Sequence, residues 1–197
     1  MRTLFDPTGT APDRMYQLLT SSVVPRPIAW VSTRAADGTP NLAPYSFFTV
    51  ASTNPPVVQF TSVTRKDSLR NIEATGEFVV NLAPAALVDQ VNASSAGFDA
   101  GVSEFDAVGV TAEPGERVSV PRVAESPIAI ECGLHRVIEV GDSFVVMGSV
   151  RAISVRTEAL AEDGLPDFGA IAPMSRLGRI QWGLPPEVVQ LPRPGRP

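Results

Sequence analysis

The stretch "TRKDSLRNI", residues 64–72, carries a lysine in a chain that uses arginine at every other basic position. Lys66 is followed by Asp67 and Ser68, then by the short helical run "LRNIEAT" and Gly76. Asp67 or Ser68 can cap such a helix and Gly76 can end it. The start of the helix offers an anion three kinds of donor: the Lys66 ammonium, the Ser68 hydroxyl and backbone N–H groups with no intrahelical partner. Phosphate is the group they suit. Asp67 is discordant, because a carboxylate repels phosphate. It serves either as the cap or as an acceptor for a ligand N–H. The bland alternative for Lys66 is a solvated turn residue without a role.

Further along the chain, small polar side chains cluster at strand ends: Ser32 and Thr33 in "IAWVST", Asn41 and Ser46 in "NLAPYSFF", Thr61 and Ser62 in "FTSV". Strand alternation puts Trp30 and Ser32 on one face, with Val31 and Thr33 on the other. Taken singly, each is an ordinary strand-edge residue. Beside "RKDSLRN" they form a candidate ligand-binding set.

Other chemistries find little support. Cys132 is the single cysteine, so neither an intrachain disulfide nor a multi-cysteine metal site can form. It lies in the apolar run "IAIECGLHRVI", where a buried inert thiol competes with a reactive one. His135 is the only histidine, and no HExxH or GxSxG pattern accompanies it. A net charge of −5 and a pI near 4.9 leave no basic footprint for nucleic acid or anionic lipid. The N-terminal "MRTLFDPTGTAPDR" has charges and prolines in place of an apolar signal core, and no run approaches a membrane span. A cytoplasmic location is the expectation.

The elements that must position these residues are short. "APDRMYQLLTSSVVPRP" reads as a helix capped by Asp13 and broken before Pro25 and Pro27. "IAWVSTR" and "NLAPYSFFTVAST" form a hairpin about Asp37-Gly38, and "VVQFTSV" and "FVVNLA" are further strands. "AALVDQVNASS" is helical, with Leu87 and Val91 on one face. Residues 92–127 are looser. "SPIAIECGLHRVIEV", a Gly141-Asp142 turn and "SFVVMGSVRAISV" make the longest hairpin. With 44% apolar and 19% charged residues, 197 residues suffice for one cored domain. The expected fold is mainly β with short helices, a small closed or partly closed barrel, spanning residues 1–183. Residues 184–197 are a Pro-rich tail, either loose or draped over a partner. Neither a βαβ rhythm nor a GxGxxG turn points to a Rossmann site.

Six ordered segments resemble a known family: "SSVVPRPIAWVST", "NLAPYSFFTVASTNPP", "RKDSLRNI", "EFVVNLA", "VNASSAGF…SEFDAVGV" and "VAESPIAIECGL". Together they are similar to the flavin reductase-like, FMN-binding split-barrel proteins, which include NAD(P)H:flavin oxidoreductases and flavoredoxins, over residues 13–182. The resemblance implies a homodimer with FMN near the subunit interface. It implies that Arg26, Trp30, Ser32, Thr33, Asn41, Ala43, Ser46 and Phe47 belong to the segments lining the ring and ribityl chain. Ser62, Lys66 and Ser68 would hold the phosphate, and Arg176 in "PMSRLGRIQW" would close over the flavin; an arginine between two prolines, as Arg26 is, could equally be a surface ion-pair partner. NADH or NADPH would be the electron donor, and a free flavin or a partner oxygenase the acceptor. There is one departure. Many relatives carry Gly-Asp-His at the turn of the long hairpin, on the nicotinamide side, whereas Ser143 follows Gly141-Asp142 here. Three functions are therefore implied: an NAD(P)H-dependent flavin reductase, an FMN-bound electron carrier reduced by a partner protein, or a non-catalytic FMN-binding module.

Overall fold

The computed structural model describes residues 1–99 and 101–195. Helix α1 (Pro12–Ser22) leads into strands β1 (Arg26–Pro27), β2 (Ala29–Arg34), β3 (Pro40–Tyr45), β4 (Phe48–Thr53) and β5 (Pro56–Val63). Helix α2 (Asp67–Thr75), β6 (Glu77–Leu82), a 3-10 turn with α3 (Val88–Ala93), and α4 (Glu104–Val108) follow. The chain continues through β7 (Ala112–Glu113), β8 (Arg122–Val123), the long pair β9 (Ile128–Val140) and β10 (Ser143–Val155), α5 (Phe168–Ile171), β11 (Ser175–Arg176) and β12 (Trp182–Gly183).

Seven strands form one antiparallel sheet in the order β3-β2-β6-β9-β10-β5-β4. β3 and β4 follow one another in sequence yet occupy opposite edges. Two residues, Ser46 and Phe47, connect them, so the sheet must curl until its edges nearly meet. Phe47 already belongs to the β4 side of the seam, since Thr61 N–H donates to Phe47 O at 2.9 Å and so extends the β4–β5 ladder. β3 and β4 themselves do not pair, which makes this a split barrel. The extended run expected over 41–53 is thus two strands, broken where the chain crosses the seam.

Inside the barrel Val31, Phe60, Phe78, Cys132 and Val146 pack together, and Leu69 and Ile72 on one face of α2 reach into the same cluster. A second cluster covers the outer face of β2 and β3, where Trp30 and Leu42 meet Val91, Phe105 and Met174. β2 is therefore buried on both faces, which accounts for its near-continuous apolar and hydroxyl sequence. The alternation expected for Trp30 and Val31 holds, because they enter different clusters.

The helix starts differ from expectation. Pro12 opens α1 in the first turn, which suits a residue without an N–H, and Ala11 occupies the cap position instead of Asp13. Lys66 occupies the cap position of α2, with Asp67 already inside the first turn. Gly76 closes α2 with φ 72°, as its type suggests. The stretch 92–127 contains α4, whose five residues are too few for periodicity to reveal.

Candidate functional site

A cleft of about 960 Å³ opens beside the seam, a volume within the range of cofactor sites. Its floor is β3 and the Ser46–Phe47 crossing. One wall is the start of α2, the other residues 94–99 and Glu104. Asn41, Ala43, Ser46, Phe47, Lys66 and Ser68 all border it.

The basic groups at the α2 end are engaged unequally. Arg65 pairs with Glu73 at 2.5 Å and Arg70 pairs with Asp67. Lys66 makes no ion pair or side-chain hydrogen bond among the described residues. It stands exposed beside the unbonded N–H groups of the first helical turn, since the first intrahelical bond is Arg70 N–H to Lys66 O. Asp67 does not cap the helix, and its exposed carboxylate pairs with Arg70.

Beneath Lys66 runs a hydrogen-bond network. Ser68 Oγ donates to Asn41 Oδ1 at 2.9 Å, and Thr33 Oγ1 donates to the same oxygen at 3.1 Å. Asn71 Nδ2 donates to Thr33 Oγ1 at 3.1 Å. Asn41 Nδ2 donates in turn to Glu104 Oε1 at 2.6 Å, and Leu42 N–H donates to Glu104 Oε2 at 3.0 Å. Burial pushes the Glu104 carboxyl above its ordinary range, with the nearby Asp67 charge adding to the rise and these hydrogen bonds opposing it. Among the described residues two hydroxyls here are buried without hydrogen-bond partners, those of Tyr45 and Ser103, and burial pushes the Tyr45 phenol upward.

Other residues expected at the site are placed elsewhere. Trp30 is fully buried behind β3, and its Nε1–H donates to Ser94 Oγ at 2.9 Å. Ser32 donates to Pro121 O at 2.6 Å, on the same outer face of β2 as Trp30, and Thr33 reaches the cleft only through Asn41. Alternation turns Thr61 and Val63 toward the cleft and Ser62 away, and Ser62 Oγ donates to Thr64 O at 3.0 Å. Thr64 has φ 67°, so this hydroxyl braces the left-handed corner that swings Lys66 into place.

Arg26 is not a surface ion-pair partner; it lies behind the floor of the cleft, where its Nε–H donates to Ser46 Oγ at 3.4 Å and the guanidinium stands 5.8 Å from the Phe47 ring centroid. Its buried guanidinium donates to Thr20 O, to Val23 O at 2.6 Å and to Leu177 O at 2.8 Å, closing the end of α1 against the C-terminal segment. Carbonyls at a helix C-terminus attract such a cation. Arg176 donates to Gln181 O at 2.6 Å and Arg179 O at 2.8 Å, and lies over the Trp182 ring. It borders a smaller hollow that shares Ser46 and Ser95 with the cleft.

Glu104, Asn71 and Tyr45 were missed in the sequence. Glu104 lies within the quoted segment "SEFDAVGV", yet nothing in its neighbours distinguishes it from a solvated acid; only its pairing across 63 residues with Asn41 does. Among the described residues no group of His, Cys, Asp and Glu could hold a metal ion. No helix of the described residues is long and apolar enough to cross a membrane.

Residues 20–172 match the family described as Flavin reductase like domain. A protein of Deinococcus radiodurans is 41% identical over 187 residues, covering 89% of this chain and 82% of its own. Nitrilotriacetate monooxygenase component B from Bacillus cereus superposes with TM-score 0.92 at 30% identity, over 97% of this chain and 99% of that one. The 2-nitrobenzoate 2-nitroreductase of Pseudomonas fluorescens superposes with TM-score 0.91 at 31% identity, over 98% and 96% of the two chains.

Proposed function

The chain belongs to the flavin reductase-like family, and from that premise we propose that it is an FMN-binding oxidoreductase working as an NAD(P)H-dependent flavin reductase. The observation that carries this reading is Lys66, a cation without an ion pair among the described residues, at the open start of α2 in the cleft. The residues present fit the cofactor. Lys66, the first-turn N–H groups of α2 and the Ser68 hydroxyl suit its phosphate, as an anion is stabilised by a helix N-terminus and an ammonium. Asn41 stands next along the floor, where a ribityl chain would run. The segment 43–47 presents backbone groups and the Phe47 ring to the flat ring system. When bound, FMN supplies the hydride chemistry itself, taking it from NADH or NADPH and passing electrons to an acceptor. The protein's part is to bind, orient and shield, which no general base or nucleophile is needed to do.

The neighbours' names suggest two kinds of acceptor. One is a monooxygenase component, consistent with reduced flavin handed to a partner oxygenase; the other is a nitroreductase, consistent with electrons delivered to a nitro compound. A free flavin is the third choice. We also assign a homodimer, supported by the large apolar side chains that the long hairpin leaves exposed, Ile138, Val140 and Ile153.

A second reading is favoured by one observation. At the tip of β9–β10 the Ser143 hydroxyl donates to Asp142 Oδ1 at 2.8 Å, and no imidazole is offered there. Under that reading the FMN-loaded protein is an electron carrier reduced by a partner protein. Anaerobic mixing of the FMN-loaded protein with NADH and with NADPH separates the two. Rapid bleaching of the flavin absorbance is expected of the reductase; no bleaching with either donor leaves the carrier. Failure to retain or be stabilised by FMN would overturn both.

A further inference from the structure

Ser68 is poorly arranged for the role just given to it. Its hydroxyl proton points at Asn41 Oδ1, 2.9 Å away, so toward a phosphate it presents lone pairs. The cause lies one step further on. Ionised Glu104 has only acceptors, and it takes the Asn41 amide N–H at 2.6 Å, which forces Oδ1 to face Ser68 and Thr33.

We propose that Glu104 sets the direction of the chain Glu104–Asn41–Ser68, and that binding of a phosphate at Ser68 draws a proton onto Glu104. In the step, a solvent proton adds to Glu104 Oε1, while Oε2 keeps its hydrogen bond from Leu42 N–H. The Glu104 O–H then donates to Asn41 Oδ1 after a half-turn of the amide. Asn41 Nδ2 now donates to the Ser68 and Thr33 oxygens, the Ser68 proton is free to turn to the anion, and the Thr33 hydroxyl gives up the bond it donated to Asn41 Oδ1. No heavy atom has to move far, because the two ends of an amide are nearly isosteric. Glu104 is a positioning residue, acting on the ligand through Asn41.

The surroundings favour proton uptake. Glu104 is buried on α4, and its carboxyl is already displaced upward by burial, then by the Asp67 charge. The Asp67 charge reaches it from α2, and the cations Arg65, Lys66 and Arg70 line the same cleft, the two arginines paired with Glu73 and Asp67; from β3 the Tyr45 phenol lies beside it. Asp37 of the β2–β3 turn and Asp99 of the opposite wall line the same cleft, and Asp106 on α4 itself is exposed. An arriving phosphate adds negative charge to this set, and a like charge raises a carboxyl further.

The inference rests on FMN binding with its phosphate at Ser68. It is tested by titrating FMN into the wild type and Glu104→Gln from about pH 5 to about pH 9. The glutamine amide can accept from Leu42 and donate to Asn41, so it holds the proton-bound direction at every pH. The wild-type Kd should rise relative to that of Glu104→Gln by up to about tenfold per pH unit above the Glu104 titration. The phosphate's own second ionisation near pH 6 is common to both proteins and cancels in the ratio. Calorimetry of the wild type in two buffers of different ionisation enthalpy should show proton uptake with FMN and none with riboflavin, which lacks the phosphate. Parallel pH profiles overturn the inference while leaving the cofactor site intact. If Glu104→Gln does not fold, equal proton uptake with FMN and riboflavin overturns it. Binding of FMN by neither protein at any pH overturns the cofactor reading and this one together.

Discussion

Lys66 and Trp30 illustrate two ways in which a residue can matter to the same cleft. Lys66 contributes charge. Lys66→Ala should weaken FMN binding by roughly tenfold to a hundredfold, the range for one charge-assisted contact. The loss should be largest at low salt, because an exposed ammonium is screened; equilibrium dialysis across a salt series measures it, and an unchanged Kd returns Lys66 to a solvated turn. Trp30 contributes packing. Trp30→Phe removes the bond to Ser94 and part of the outer cluster, and should cost about 2 kcal/mol in denaturant unfolding with FMN affinity little changed. Cys132 contributes neither reactivity nor metal binding. Burial pushes its thiol up to about 12, so near pH 8 the thiolate is scarce. An alkylating reagent should leave the folded protein unmodified and label it only after denaturation, as mass spectrometry would show.

Among the elements, the long hairpin sets the shape of the barrel. β9 and β10 pair over almost their whole length, with irregularities at Met147/Gly148 and Val150/Ala152 that let the sheet bend. Gly148 is required there for space and not for its dihedral freedom. A Cβ on it would come within 2.3 Å of the Phe78 ring and 2.9 Å of the Cys132 Cβ, both in the interior cluster. Gly148→Ala should therefore destabilise the protein by about 1–3 kcal/mol, the range for overpacking a filled core. A midpoint unchanged in urea would show that the hairpin can shift at this point. Helix α2 is bound from both sides, by Leu69 and Ile72 inward and by Ser68 and Asn71 through the Asn41–Thr33 network. Its open end is thus held at a fixed position over the cleft.

For the molecule as a whole, ligand binding and folding are linked. FMN that binds the folded chain alone should stabilise it by about 2.7 kcal/mol at a hundredfold excess over Kd. For a chain of this size that corresponds to a rise of roughly 5–10 °C in melting temperature. Differential scanning calorimetry at several FMN concentrations tests it, and a midpoint independent of FMN would remove the cofactor from the account. Residues 184–195 carry Leu184, Val188, Val189 and Leu191 in the open and enter no strand or helix. If they lie across a second copy, deleting 184–197 should move the protein toward a smaller species in sedimentation; an unchanged sedimentation coefficient per mass would separate the tail from assembly.

The types and order of the short strands, the Gly38 and Gly141 turns, the Gly76 helix end and the lysine at an anion-suited helix start could all be read along the chain, since each depends on neighbours within a few residues. The family was legible for the same reason, through six ordered segments. What lay beyond reach was every relation between distant segments. Ser62 and Thr61 are adjacent and chemically alike, and only the register of β5 against β10 sends one inward and the other to the cleft. Arg26 looked available until folding brought three carbonyls to its guanidinium. Glu104 acquires its role from Asn41, across a long loop and an intervening sheet edge. Local backbone preference is written in consecutive residues; burial, which decides whether a polar group is spent within the protein or left free for a ligand, is a property of the folded split barrel.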